Sequence, residues 1–171
     1  MNLEQFTSDI LPIKNKLFRF ALRIVNQVAE AEDVVQEVFI KLWNNRQQMD
    51  TVQNVEAWCF TATKNLSIDK LRSKHQRLQP LKAGFDLHDQ AATPDQAAAG
   101  QDVFDQVKKL MQNLPEKQRE IMHLRDIEGL TYQEIADVLG LPLEQVKVYL
   151  FRARKAVRQG LTNLELHHVR H

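Results

Sequence analysis

The sequence predicts an all-α protein made of two small helical domains joined by a flexible linker, the C-terminal one a helix-turn-helix. Three observations carry this expectation. Apolar residues recur at three- and four-residue steps along most of the 171 positions, the period of an amphipathic helix. That period stops across 79–101, where two Pro and two Gly fall in a stretch too long for a loop inside one compact domain. Residues 131–158 then set a short capped helix, a glycine turn and a longer basic helix in sequence.

The elements follow in order. Leu17, Phe18, Ala21, Leu22, Val25 and Val28 trace a first helix, and Val34, Val35, Val38, Phe39, Leu42 and Trp43 draw a wide stripe on a second. Asn54 is a fitting N-cap for a third, which runs through Trp58, Thr61, Leu66, Ile68 and Leu71. These three helices form one antiparallel domain over 1–78. Residues 79–101 are the linker, with a short Ala-rich helix from about Asp95 as the local alternative. The second domain, 102–171, resumes with Val103, Phe104, Val107, Leu110, Met111 and Leu114. Pro115 fits the first turn of the next helix, which Gly129 ends. Thr131-Tyr-Gln-Glu134 reads as a capping box, Gly140 breaks its helix, and Pro142 opens a last one from Leu143 to about Leu164.

Composition narrows the class. At 43% hydrophobic and 26% charged, the chain has the means to bury a core. Its single Cys59 lacks a cysteine partner, which suits a reducing, cytoplasmic setting. No apolar run approaches the roughly 20 residues that span a bilayer, and the N-terminus lacks the basic segment of a signal peptide. The formal net charge of +1 conceals two basic stretches in different halves. Residues 51–79 hold five bases against two acids, while Lys147, Arg152, Arg154, Lys155 and Arg158 crowd together with no acid between them.

Three constellations carry chemistry. On the last helix, Val146, Leu150, Ala153 and Val157 share an apolar face, and Gln145, Lys147, Tyr149, Arg152, Arg154 and Arg158 lie elsewhere. A helix of this kind fits the DNA major groove, with long polar side chains on base edges and cations on phosphates. On the second helix, Asp33, Gln36 and Glu37 stand at i, i+3 and i+4, a small acidic and amide face opposite Val34 and Val38 that suits a basic partner helix or simply solvent. On the third, Trp58, Phe60, Lys64, Asn65, Lys70 and Arg72 interleave aromatics, an amide and bases, a mixture matched to unpaired nucleic acid. Phe60 does not share the face of Trp58, so at least one of the two rings points elsewhere.

Taken together, these segments resemble the bacterial sigma factors of the small, extracytoplasmic-function type. Asp33-Val-Val-Gln-Glu-Val-Phe-Ile-Lys-Leu-Trp43 is similar to the family's core-polymerase-binding helix. Asn54-Val-Glu-Ala-Trp-Cys-Phe-Thr-Ala-Thr-Lys-Asn-Leu-Ser-Ile-Asp-Lys-Leu-Arg72 is similar to its melting and −10 region. Leu114-Pro-Glu-Lys-Gln-Arg-Glu-Ile121, Leu130-Thr-Tyr-Gln-Glu-Ile-Ala136 and Val146-Lys-Val-Tyr-Leu-Phe-Arg-Ala-Arg154 are similar to its −35-binding domain. The resemblance implies a factor that carries core RNA polymerase to promoter DNA. It implies that Asp33, Gln36 and Glu37 face the clamp helices of the β′ subunit, and that Trp58, Lys64, Asn65, Lys70 and Arg72 serve the −10 strand. Asn65 would there help to hold a flipped-out base. It further implies that Glu144, Gln145, Lys147, Val148, Tyr149, Arg152 and Arg154 serve the −35 duplex, and that an anti-sigma protein holds the factor inactive. The recognition helix departs from the family's usual residues at Glu144, Gln145, Val148 and Tyr149; Glu144 there either repels a phosphate or accepts a hydrogen bond from cytosine N4.

Two other readings compete. A stand-alone helix-turn-helix regulator accounts for 131–158 but leaves 1–78 without a task. An enzyme lacks support: the six His have no H-E-x-x-H spacing, no Cys pair offers a zinc site, and no G-x-x-x-x-G-K-[ST] loop binds ATP. No cofactor is expected, and His167, His168 and His171 form at most an incidental metal site in the tail.

Overall fold

The computed structural model describes residues 1–78 and 99–169. Contacts divide the chain into two compact units, one built on the helices before residue 79 and one on the helices from residue 99 onward. All regular elements among the described residues are helical.

In the first unit, α1 (Leu3–Gln5) is capped by Asn2, whose side chain accepts from the Gln5 N–H at 2.8 Å. A π turn (Phe6–Ile10) and a 3-10 turn (Leu11–Ile13) lead into α2 (Lys14–Val25). Phe6 packs edge-on against Phe39 and Trp43, at 5.8 and 5.5 Å between centroids, and so pins this segment to the next helix. The α2 helix stops at Asn26, which takes the left-handed conformation (φ 59°) and donates its N–H to the Leu22 carbonyl. Val28, assigned from its spacing to the first helix, therefore opens α3 (Val28–Asn44) instead and is exposed. The core is formed by Leu17, Phe20, Ala21 and Val25 of α2 with Ala31, Val34, Val35, Val38 and Leu42 of α3.

Across these lies α4 (Val55–Leu78), which packs on both α2 and α3. Asn54 caps it as expected, its side chain accepting from the Ala57 N–H at 2.9 Å. The buried face of α4 differs from the apolar run read in the sequence. Cys59, Phe60, Thr63 and Ser67 are buried completely, whereas Leu71 is exposed. Thr63 is accommodated because its hydroxyl donates to the Cys59 carbonyl one turn back, at 2.7 Å, whereas the buried Ser67 hydroxyl has no such partner among the described residues. Phe60 is the large anchor, set edge-to-face on Phe20 at 5.7 Å. Of the two aromatics read together, Phe60 is core and Trp58 is only half-buried.

The buried Cys59 thiol is pushed up from 9.0 to about 12, first by loss of water and then by the negative charge of Glu56. Two results are expected. An aromatic disulfide reagent at pH 8 should leave the native thiol unmodified and label it rapidly in denaturant; equal rates in both states would contradict the burial. Because the folded state keeps its proton where the unfolded thiol has lost it, stability should fall as pH rises from about 9 toward 12.

The second unit begins with α5 (Ala99–Gln112), so helix already occupies the last positions of the stretch read as linker; the rest of that stretch, Asp95 included, lies outside the described residues. Pro115 is the N-cap of α6 (Glu116–Met122), one step before its first turn. A π turn (His123–Ile127) follows, and Gly129, at φ 77°, reverses the chain. Thr131 caps α7 (Tyr132–Leu139) by accepting from the Glu134 N–H at 3.1 Å, which is one half of the expected capping box. Gly140 ends α7 in the left-handed conformation (φ 66°), with the Leu141 N–H on the Ala136 carbonyl. The last helix, α8 (Leu143–Val169), outruns its expected end near Leu164. It packs on α5 and α6, and a Cβ on Gly160 would stand 2.5 Å from the Leu110 side chain, so the bare glycine leaves room for that side chain of α5.

No helix among the described residues is long and apolar enough to cross a membrane. The described His, Cys, Asp and Glu side chains form no group able to hold a metal ion, and the side chains of His168 and His171 lie outside the described residues.

Candidate functional site

The acidic face is real in space. Val34, Val35 and Val38 point α3 into the core, which turns Asp33, Gln36 and Glu37 outward, all three exposed. Ile40 lies four residues after Gln36 and three after Glu37 on this face, and it is 60% exposed. The sequence reading passed over Ile40; the signal was there, since it falls out of phase with the buried stripe. The face thus combines charge, an amide and an apolar group.

On α4 the buried Phe60, Thr63 and Ser67 set the opposite side free. Trp58, Asn65 and Arg72 recur at seven-residue steps and share that outward side, with Asn65 and Arg72 exposed. The two lysines diverge from it. Lys64 is half-buried, and Lys70 leans to α3, where its Nζ stands 3.7 Å from Glu37 Oε1. One lysine of the expected −10 set therefore pairs with one acid of the acidic face. With both side chains partly exposed, such a pair contributes at most about 1 kcal/mol.

On α8, Val146, Leu150, Ala153 and Val157 are all buried, as their spacing requires. Glu144, Gln145, Lys147, Val148 and Arg152 are exposed, and Tyr149 is half-buried at the edge of the face. A shallow depression of about 290 Å³ is lined by Glu144, Gln145, Val148, Tyr149 and Arg152. Glu144 stands 3.7 Å from Lys147 one turn on, so this departure from the family pattern offsets part of the basic charge. Phe151, 64% exposed in the middle of the face, was missed by the sequence reading; the turn beyond it, with Lys155 and Arg158, continues the basic surface. Arg154 behaves differently, because its Nε and one terminal guanidinium nitrogen both donate to Asp126.

The chain thus carries two helical modules, one with an acidic face beside an aromatic–amide–arginine face and one with a basic helix after a glycine turn. Residues 12–77 match the family model for sigma-70 region 2, and residues 104–157 match that for sigma-70 region 4. The ECF RNA polymerase sigma factor SigL of Mycobacterium tuberculosis is 32% identical over 149 residues, covering 86% of this chain and 84% of that protein. SigW of Bacillus subtilis, also an ECF RNA polymerase sigma factor, is 29% identical over 92% of this chain and 89% of its own length. Among solved structures, the sigma factor RpoE in complex with the anti-sigma factor NepR from Bartonella quintana shares the fold, with a TM-score of 0.72 at 24% identity over 94% of this chain and 98% of that one. The chain belongs to the extracytoplasmic-function sigma factors of the sigma-70 family. As such it binds core RNA polymerase and directs promoter-specific transcription initiation.

Proposed function

We propose a division of labour between the two domains, 1–78 and 102–171, joined by the intervening linker. In the first domain, Asp33, Gln36 and Glu37, with Ile40 among them, dock on the clamp helices of the polymerase β′ subunit. Trp58, Asn65 and Arg72 engage the opened −10 strand: Trp58 props an unpaired base, Asn65 holds its edge, and Arg72 follows the phosphates. Lys64 and Lys70 add charge beside them. In the second domain, Gln145, Lys147, Val148, Tyr149 and Arg152 face the −35 duplex, with Glu144 as the acceptor or repulsive group among them. The observation that carries this reading is the buried Phe60–Thr63–Ser67 side of α4, which leaves Trp58, Asn65 and Arg72 together on the outside.

Each element is held weakly, and the polymerase fixes the spacing of the two domains, so both grips act together. Ion pairing within the chain, Glu37 with Lys70 and Glu144 with Lys147, agrees with weak duplex binding by the free protein. The chain works in the cytoplasm, contributes no covalent chemistry of its own, and is held inactive by an anti-sigma protein. Run-off transcription with purified core enzyme on fragmented genomic DNA tests this: new start sites should appear only when the chain is added. Initiation at the same sites without it, or tight duplex binding by the chain alone, would favour a free-standing regulator instead.

A further inference from the structure

Arg154 follows Lys147 by seven positions and precedes Arg158 by four, so spacing groups it with those bases on one flank of α8. Its guanidinium is nonetheless engaged inside the domain. Nε donates to Asp126 Oδ2 at 3.1 Å and a terminal nitrogen donates to Oδ1, a two-pronged pair between residues 28 positions apart. The π turn from His123 to Ile127 carries Asp126 to this place; it is closed by the Glu128 N–H on the His123 carbonyl at 3.0 Å. The same turn is tied to α7. Arg125 donates to the Leu130 carbonyl at 2.8 Å, and its guanidinium stands 4.8 Å over the ring of Tyr132, the first residue of α7. The Asp126 hydrogen bond, reinforced by the charge of Asp126 and by Tyr132, holds the Arg154 guanidinium above its ordinary range. A continuous set of contacts therefore joins the turn before α7 to the middle of α8.

We propose that the Asp126–Arg154 pair is a strut that sets the angle at which α8 meets the −35 duplex, making Arg154 a positioning residue rather than a phosphate contact. This rests on the reading of α8 as the −35 helix and takes Arg154 out of the contact set that the family resemblance implies. A forked pair fixes orientation as well as distance, which a single ammonium does not. Hydrogen bonds to base edges tolerate only a few tenths of an ångström, so a small swing of α8 displaces Lys147 and Arg152 from their partners. The side chains of the pair are 40% and 31% exposed, so its direct contribution to stability is modest and its effect is chiefly geometric.

The test uses holoenzyme reconstituted from core polymerase and full-length variants. The probes are a promoter duplex recovered from the run-off experiment and the same duplex with its −35 segment scrambled, each titrated over a range of salt. The strut predicts that Asp126→Asn and Arg154→Lys each lower the preference for the intact duplex by about fivefold. It also predicts that Arg154→Met leaves the salt slope nearly unchanged. A phosphate contact predicts the reverse: Arg154→Lys behaves as the unaltered chain, Asp126→Asn binds as well or better with its arginine released, and Arg154→Met lowers the slope by about one. That pattern overturns the strut. Arg154→Lys keeps both charge and helix propensity, so it separates the two roles even if Arg154→Met folds poorly. Lys147→Ala is the control for the underlying reading; if it leaves the preference untouched, α8 is not the −35 helix and the strut falls with that reading.

Discussion

Replacing Asp33, Gln36 and Glu37 together by Ala is expected to weaken association with core RNA polymerase by about a hundredfold or more, with the fold unchanged. The three side chains project from one exposed face of α3, while Val34, Val35 and Val38 hold the helix to the core from its other side. Removing them therefore takes nothing from the interior. Within the domain the change breaks the Glu37–Lys70 pair, whose separation is 3.7 Å and whose partners are partly exposed, so domain stability should move little. The expected loss arises because charged and amide groups at the centre of an interface leave their partners desolvated and unpaired when truncated. Fluorescence anisotropy of labelled protein against core enzyme measures it, with circular dichroism and thermal unfolding as the check on fold. Unaltered affinity in a folded triple variant would remove this face from the interface.

The second large effect lies at the other end of the chain. Changing Lys147 and Arg152 to Ala should lower promoter binding by the holoenzyme about 10- to 100-fold and reduce the salt slope by about two, while core binding stays as it was. Both side chains are exposed on α8, away from the buried Val146, Leu150 and Ala153. Loss of Lys147 also releases Glu144 from its partner at 3.7 Å, which leaves an uncompensated acid facing the phosphates and deepens the deficit. Filter binding at several salt concentrations gives the slope, and the anisotropy assay gives the affinity for core. Were core affinity to fall in step with promoter affinity, the proposed division between the domains would be wrong.

Most of the architecture was legible because the decisive side chains are large and periodic. Leu17, Val25, Val34, Val38, Val146 and Leu150 repeat at helical steps and are all buried. The α4 helix resisted the same reading, because Cys59, Thr63 and Ser67 on its inward side are small or hydroxylic, and hydropathy does not distinguish a hydroxyl tied to its own backbone, as in Thr63, from a solvated one. The end of α2 was misjudged because Asn26 reverses the chain by its backbone conformation alone, one residue beyond an apolar pattern that continues unbroken into Val28. For the candidate site, spacing sufficed to group Asp33 with Gln36 and Glu37, and Trp58 with Asn65. It did not suffice for Arg154, whose role depends on an acid delivered from 28 positions away by a π turn. Ile40 and Phe151 are instructive in the opposite sense: each is a large apolar residue out of phase with its neighbours, and each is exposed.

The small inward side chains of α4 have an energetic consequence for its outward side. Beside the Phe60 anchor, Cys59, Thr63 and Ser67 let α4 pack on both α2 and α3, and the hydroxyl of Thr63 is tied to its own helix. Trp58, Asn65 and Arg72 are mounted on the other side of that packed helix. On the proposed −10 role, the entropy of ordering that scaffold is surrendered during folding, so on the protein's side chiefly side-chain rotamers are left to freeze when a melted strand arrives.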